Sequence, residues 1–398
     1  MKPHAKRGDA GTPSAPASGR ERIYIEHHSV RRPFMRGILV HSLMARGLAF
    51  EDAYPTANAV REKLRGRGSV TVEELGTAVQ EVLRERSLPA AEVAGPAIGP
   101  AIRVTTPTGE APFSKGFLSQ SLLAAAIEPN DAFDVAREIE GELHQRAARS
   151  IDRRELRRMA FRALERRFGE RTAERYLIWR KYQTPDRPVI LLLGGATGSG
   201  KTSLSLEVAH RLGIHRVLST DAIRQIMRIM LSAELEPAIH ASSYDAHRLL
   251  HPAEDVIGGF LAQARIVSVG VRAMLDRAVA ENSSQILDGV SIVPGLLDLA
   301  SYADTAHVIF LVVATLDEHA YRARFESHAR TKHRPGHRYL DHFDSIWKIQ
   351  DHFLELADRH DIPIVDNDSI DASVLSILKH VAETLRKKGG FEAREMLS

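Results

Sequence analysis

The sequence predicts an α/β domain built on a parallel five-stranded sheet and preceded by two all-α helical modules. Three observations lead there. Apolar residues recur at helical spacing up to about residue 183, and beyond it short continuous apolar runs alternate with long helical stretches. The helical half repeats itself. The composition is that of an ordinary globular chain, 43% hydrophobic and 26% charged over 398 residues, long enough for several domains.

Residues 1–20 hold no apolar side chain larger than the first Met. They cannot offset their ordering entropy by burial and read as a disordered tail. The repeat follows. Pro33-Phe34 and Pro112-Phe113 stand 79 residues apart, and the same offset relates Leu43 to Leu122, Ala53 to Ala132, Val60 to Ile139 and Leu64 to Leu143. After a two-residue insertion Glu74-Leu75 matches Glu155-Leu156. This is a tandem duplication of one helical unit, 21–100 and 101–183, joined by a Pro/Gly/Ala linker over Ala90–Pro100. Helices are expected over Phe34–Arg46, Phe50–Arg65 and Val72–Glu85 in the first copy. The second is expected to fold as Lys115–Ala126, Asp131–Ala148 and Arg153–Phe168, with one more near Arg171–Lys181. Asp131 and Asp152 stand where N-caps belong.

In 184–398 the runs Val189–Leu193, Arg216–Leu218, Gln285–Leu287, Ala306–Val313 and Ile362–Val365 are continuously apolar. Such runs are strands covered on both faces, hence a parallel sheet between layers of helices.

Charge and composition exclude several functions. The 54 Lys+Arg against 51 Asp+Glu leave +3, too little to mark a polyanion binder, and Glu interleaved with Arg over 138–174 reads as helix-face pairing rather than a nucleic-acid grip. The absence of cysteine excludes disulfides, thiolate catalysis, Fe–S clusters and Cys-based zinc sites. No apolar run approaches the roughly 20 residues of a membrane span, and no signal-peptide core opens the chain. A cytoplasmic protein with neither membrane nor nucleic-acid partner is expected.

The strongest motif is Gly195-Ala196-Thr197-Gly198-Ser199-Gly200-Lys201-Thr202, followed by Ser203, which fits G-x-x-x-x-G-K-[ST] between a buried strand and a helix. Its amides converge on phosphate oxygens at a helix N-terminus, its lysine places a charge on the β- and γ-phosphates, and Thr202 offers Mg²⁺ a hydroxyl. A nucleoside triphosphate with Mg²⁺ is the implied ligand. The guanine-reading N/T-K-x-D is missing: Thr331-Lys332-His333-Arg334 lacks the Asp. A small-molecule kinase fits better. Asp221 follows the second strand and Asp288 ends the third, both at the carboxyl edge where ligands bind. Asp221 is either the group that orients or deprotonates the acceptor or the N-cap of its helix. Asp288 is either a carboxylate toward Mg²⁺ or the acceptor, or a turn residue. Arg224 and Arg228, spaced i, i+4, are a fork for an anionic acceptor or a solvated face. Arg322, Arg324, Arg330, Arg334 and Arg338 form either a solvated helix face or a lid over the phosphates, Arg330 or Arg334 at the transferring group and Arg324 and Arg338 at the acceptor. His328, His333, His337 and His342 share that stretch but lack metal-ligand spacing. Asp366 and Asn367, past the last strand, are candidates for the adenine side, a turn being the alternative.

Read together, APFSKGFLSQSLLAAAIEPNDAFDVAREIEGEL, RYLIWRKY, PVILLLGGATGSGKTSLSLEVAHRLGIHRVLSTDAIRQIMR, ILDGVSIVPG and RPGHRYLDHFDSIWKIQDH resemble the archaeal-type 2-phosphoglycerate kinases over about Ala111–Asp368. The resemblance implies a P-loop kinase that passes the γ-phosphoryl of ATP to 2-phosphoglycerate, a phosphorylated acid, giving 2,3-bisphosphoglycerate. It also implies one ATP-cone-like module ahead of the kinase domain, the second copy here. The first copy looks like another, an addition to the usual layout. Arg36 and Lys115 follow the Pro-Phe pair at matching places, as an adenine-nucleotide effector would want. A bundle mediating homo-oligomerisation is the other reading of these modules.

Overall fold

The computed structural model describes residues 23–27, 30–44, 48–88, 102–107, 109–183, 185–250, 254–330, 336–389 and 396–397. The predicted tail at 1–20, the linker at 90–100 and Arg334 fall outside them. The chain divides into two compact units, Met1–Ala101 and Ile102–Ser398.

The first unit runs β1 (Tyr24–His27), β2 (Val30–Pro33), α1 (Arg36–Met44), α2 (Phe50–Lys63), β3 (Ser69–Thr71) and α3 (Val72–Glu85). The second opens with the same order: β4 (Arg103–Thr106), β5 (Gly109–Pro112), α4 (Lys115–Leu123), α5 (Pro129–Gln145), β6 (Ser150–Asp152) and α6 (Arg153–Phe168), then α7 (Glu170–Lys181). Both copies pair their strands alike, with the first strand antiparallel to the second and parallel to the third. The duplicated positions Leu43 and Leu122, Ala53 and Ala132, Val60 and Ile139 are all buried.

Two expectations need correction. The modules are not all-α, since each carries a three-stranded sheet. Strands of three or four residues offer too few alternations to register as a period. Asp131 lies in the first turn of α5, whose N-cap is Glu128 ahead of Pro129. Pro suits the first helical position because it has no amide hydrogen to leave unpaired. Asp152 does cap α6, accepting from the Arg154 amide at 2.7 Å.

The remainder comprises β7 (Val189–Gly194), α8 (Lys201–Leu212), β8 (Val217–Ser219), α9 (Thr220–Met230), α10 (Val256–Ala280), β9 (Gln285–Gly289), β10 (His307–Ala314), α11 (Glu318–Arg330), α12 (Gly336–Asp341), α13 (Phe343–Arg359), β11 (Ile364–Asp366) and α14 (Ile370–Gly389). The five strands form one parallel sheet in the order β11-β10-β7-β9-β8. β7 is central and buried along its whole length, as its Val-Ile-Leu-Leu-Leu run requires. One face packs on α8 and α14, where Leu191, Leu193, Leu204, Val208, Ile377 and Val381 share a core. The other packs on α10, through Ile190, Leu192, Val267, Val271 and Leu275.

α10 is long and apolar enough to cross a membrane by length and composition, a span the sequence reading passed over. Its buried stripe, Phe260, Ala264, Val267, Val271, Leu275 and Ala278, lies in the protein core. The second module shares this unit's packing: Ile178 and Trp179 join the α8–α14 core, and the Trp179 indole donates to the Leu212 carbonyl at 2.8 Å.

Candidate active site

The P-loop turns from β7 into α8 through Gly195, Gly198 and Gly200, all at positive φ. Gly200 has a second reason to be glycine, since a Cβ there would lie 2.2 Å from the Asn367 amide nitrogen. Lys201 opens α8 and is only 7% exposed. Its Nζ donates to the Ala196 carbonyl at 2.7 Å and the Ser199 hydroxyl at 3.4 Å, closing the loop on itself. Burial pushes its ammonium down to about 8, against the charges of Asp288 and Asp221. Thr202 and Ser203 follow in the exposed first turn.

Strand register brings Asp288 to this loop: it lies opposite Leu193 on β7 and Ser219 on β8. It is 2% exposed, and its Oδ2 accepts from Thr202 Oγ1 at 2.7 Å. Its Oδ1 is buried with no hydrogen-bond partner among the described residues. Burial raises its pKa against the pull of Thr202 and Lys201. A hydroxyl paired with a carboxylate whose second oxygen is unsatisfied is a donor set suited to a hard divalent cation such as Mg²⁺. Among the described residues no cluster of three His, Asp or Glu offers another metal site.

The neighbouring Gly289 sits at φ +153°, and a Cβ there would come within 1.7 Å of Thr220 Oγ1. Gly289→Ala is therefore expected to destabilise the domain and to dislodge Asp288 with it. Thermal melting should fall by about 5 °C or more, the effect of strain at a special φ, and ATP affinity should drop alongside.

Asp221 lies in the first turn of α9, its side chain 71% exposed. The helix is capped by Ser219, whose hydroxyl accepts from the Asp221 amide at 3.1 Å, so the capping alternative for Asp221 is set aside. Arg224 Nη2 approaches its Oδ1 at 3.4 Å. Arg224 is not an open anion fork, because Nη1 already donates to the Ile239 and Ala241 carbonyls at 3.2 and 3.0 Å. Arg228 reaches Gln225 at 3.2 Å and keeps a buried Nε without a partner among the described residues.

The structure separates Arg324 from this group. Its guanidinium donates to Thr315 Oγ1 at 2.9 Å, the Ser199 carbonyl at 3.4 Å and the Asn367 carbonyl. These partners lie on the β10–β11 side of the P-loop, whereas Asp221 follows β8 at the opposite edge. Asn367 is buried and donates to the same Ser199 carbonyl at 2.8 Å, bracing the loop from outside. Asp366 accepts from the Leu316 amide at 3.2 Å. Arg330 ends α11 and Arg338 lies in α12; the side chains of 328–338 fall outside the described residues.

Sequence reasoning missed Tyr321 and Phe325. The Tyr321 hydroxyl donates to the Thr197 carbonyl at 2.5 Å, and the Phe325 ring fills the space a Cβ on Gly198 would take. They tie α11, root of the arginine-rich segment, to the P-loop. Their i, i+4 spacing on an otherwise polar helix was the available signal.

In the modules, Arg36 bonds Asn58 Oδ1 at 3.0 Å and covers the Tyr54 ring. Its counterpart Lys115 bonds Glu140 at 3.0 Å and covers Phe133.

The chain is 40% identical over 293 residues to the 2-phosphoglycerate kinase of Methanopyrus kandleri, an alignment covering 72% of this chain and 88% of that protein. It is 36% identical to the 2-phosphoglycerate kinase of Methanocaldococcus jannaschii, covering 72% and 94%. That of Thermococcus kodakarensis is 34% identical, covering 70% and 95%. No protein-family model matches. The solved shikimate kinase of Bacteroides thetaiotaomicron aligns over 48% of this chain and 98% of its own at 16% identity, with a TM-score of 0.30, too faint a likeness to argue from.

Proposed function

Because the chain belongs to the 2-phosphoglycerate kinase family, we propose that it transfers the γ-phosphoryl group of ATP to the hydroxyl of 2-phosphoglycerate, giving ADP and 2,3-bisphosphoglycerate. One observation carries the reading: a complete P-loop whose Thr202 is already joined at 2.7 Å to the buried carboxylate ending the neighbouring strand.

Phosphoryl transfer needs in-line positioning and stabilisation of charge on the transferring group. The loop amides and Lys201 hold the triphosphate tail. Thr202 and Asp288 would hold Mg²⁺, which when bound neutralises charge on the β- and γ-oxygens. Asp221 takes or orients the proton of the acceptor hydroxyl, since it is exposed at the carboxyl edge and no cap role competes for it. Arg228 faces the acceptor's anionic groups, with Arg338 as a second cation. Arg330, at the end of the helix that Tyr321 anchors, or Arg334 covers the transferring group. Asn367 and Arg324 hold the nucleotide side of the loop in shape.

Purified enzyme given ATP, Mg²⁺ and a panel of phosphorylated hydroxy acids should release ADP only when 2-phosphoglycerate is present. Turnover on another member of the panel, with none on 2-phosphoglycerate, overturns the assignment.

A further inference from the structure

Between α9 and α10 runs a segment that no motif accounts for, with two short 3-10 turns at Pro237–His240 and Ala246–Leu249. It is fixed from two sides. Gln263 of α10, buried, donates Nε2 to the Ala238 carbonyl at 2.6 Å and the Ala241 carbonyl at 3.0 Å. Arg224 of α9 donates to Ile239 and to the same Ala241 carbonyl. At Gly259 the α10 backbone comes so close that a Cβ would lie 2.2 Å from the His247 nitrogen. A stretch held this firmly has few conformations left, and it sets Ser243 down on the P-loop.

Ser243 is 6% exposed, and its Oγ lies 3.4 Å from Thr197 Oγ1. The usual O–H···O separation is about 2.7–2.8 Å. The two hydroxyls therefore share a long, weak hydrogen bond that either can donate, and Ser243 can turn its proton to a stronger, charged acceptor. Thr197 is held by its carbonyl through Tyr321, and Tyr244, next to Ser243, stacks on His342 at 5.0 Å. The contacts also run continuously from Asp221 to Arg224, to Ala241, and two residues on to Ser243. The segment thus links the Asp221 carboxylate to the P-loop, and Tyr244 packs in the core that also holds Tyr321 and Phe325.

Resting on the phosphoglycerate reading, we propose that Ser243 is an acceptor-binding residue, its hydroxyl donating to an anionic oxygen of the bound phosphorylated acid. Arg224 is then a positioning residue, joining the Asp221 carboxylate to the segment that carries Ser243. A hydrogen bond to a charged oxygen is worth about one to two decades in affinity. A γ-phosphoryl oxygen of ATP is the other oxygen that could accept from this hydroxyl, and kinetics separate the two.

The test is steady-state kinetics of the full chain carrying Ser243→Ala or Ser243→Thr, with each substrate varied in turn. Alanine should raise KM for 2-phosphoglycerate at least tenfold and leave KM for ATP within twofold, while threonine, which keeps the hydroxyl, stays within about threefold of wild type. An unchanged acceptor KM in Ser243→Ala overturns the proposal, as does a parallel rise in KM for ATP, which assigns the hydroxyl to the nucleotide. Threonine as impaired as alanine assigns the effect to packing and overturns it too. Wild-type enzyme inactive on 2-phosphoglycerate sinks the functional reading itself, a result distinct from any of these.

Discussion

Enzyme carrying Lys201→Ala is expected to lose at least about 10³ in turnover, the scale on which a charge held at the transferring phosphoryl group matters. Little of that loss is expected to come from the fold. Lys201 is buried, and among the described residues its hydrogen bonds lie within the loop, to the Ala196 carbonyl and the Ser199 hydroxyl. Burying an ammonium is costly, as its lowered pKa records. Alanine removes that cost together with the charge, so the variant should melt no lower than wild type. A variant that melts lower and still turns over would contradict both halves of the argument. The same shift sets a pH dependence. With its pKa pushed down to about 8 by burial, the ammonium is present below that pH and is lost as pH rises through it. The triphosphate favours the protonated form, so binding restores the proton. Above about pH 8, ATP affinity should fall by up to tenfold per pH unit, with proton uptake on binding. Calorimetry in two buffers of different ionisation enthalpy measures that uptake, and in Lys201→Ala it should vanish.

The parts of this site legible in the sequence are those whose chemistry is local. The P-loop is contiguous, and the strands flanking it are continuous apolar runs because both their faces are covered, so the motif and the sheet appear together. Asp288 could be placed because strand ends in a parallel sheet share one edge. Thr202 and Asp288, 86 residues apart, are joined by register alone. Contacts set by how helices fold back over the sheet left no such trace. Arg324 looked like one of five lid arginines, yet it braces Ser199 from 125 residues away. Tyr321 and Gln263 meet carbonyls, which carry no residue identity for a pattern to detect. The small module sheets escaped for a different reason: β4 and β5 are partly or fully exposed and too short to alternate.

Asp221→Asn should lower kcat by about 10²–10⁴, the usual range for a positioned base, and leave ATP affinity nearly unchanged. Asparagine keeps the shape of aspartate and its acceptor toward Arg224 Nη2, so the α9 segment should keep its place. The carboxylate is 71% exposed and the helix cap belongs to Ser219, so little stability depends on it. Only the charge and the proton-accepting oxygen are lost. That selectivity distinguishes Asp221 from Asp288, the other carboxylate in reach. Asp288 is buried against Thr202, and Asp288→Asn should weaken ATP binding in the presence of Mg²⁺ as well as turnover. Isothermal titration with ATP and Mg²⁺ beside single-turnover rates reads both variants. Wild-type turnover in Asp221→Asn would leave Asp221 as an acid in the first turn of α9, where the helix dipole favours negative charge whatever the enzyme does.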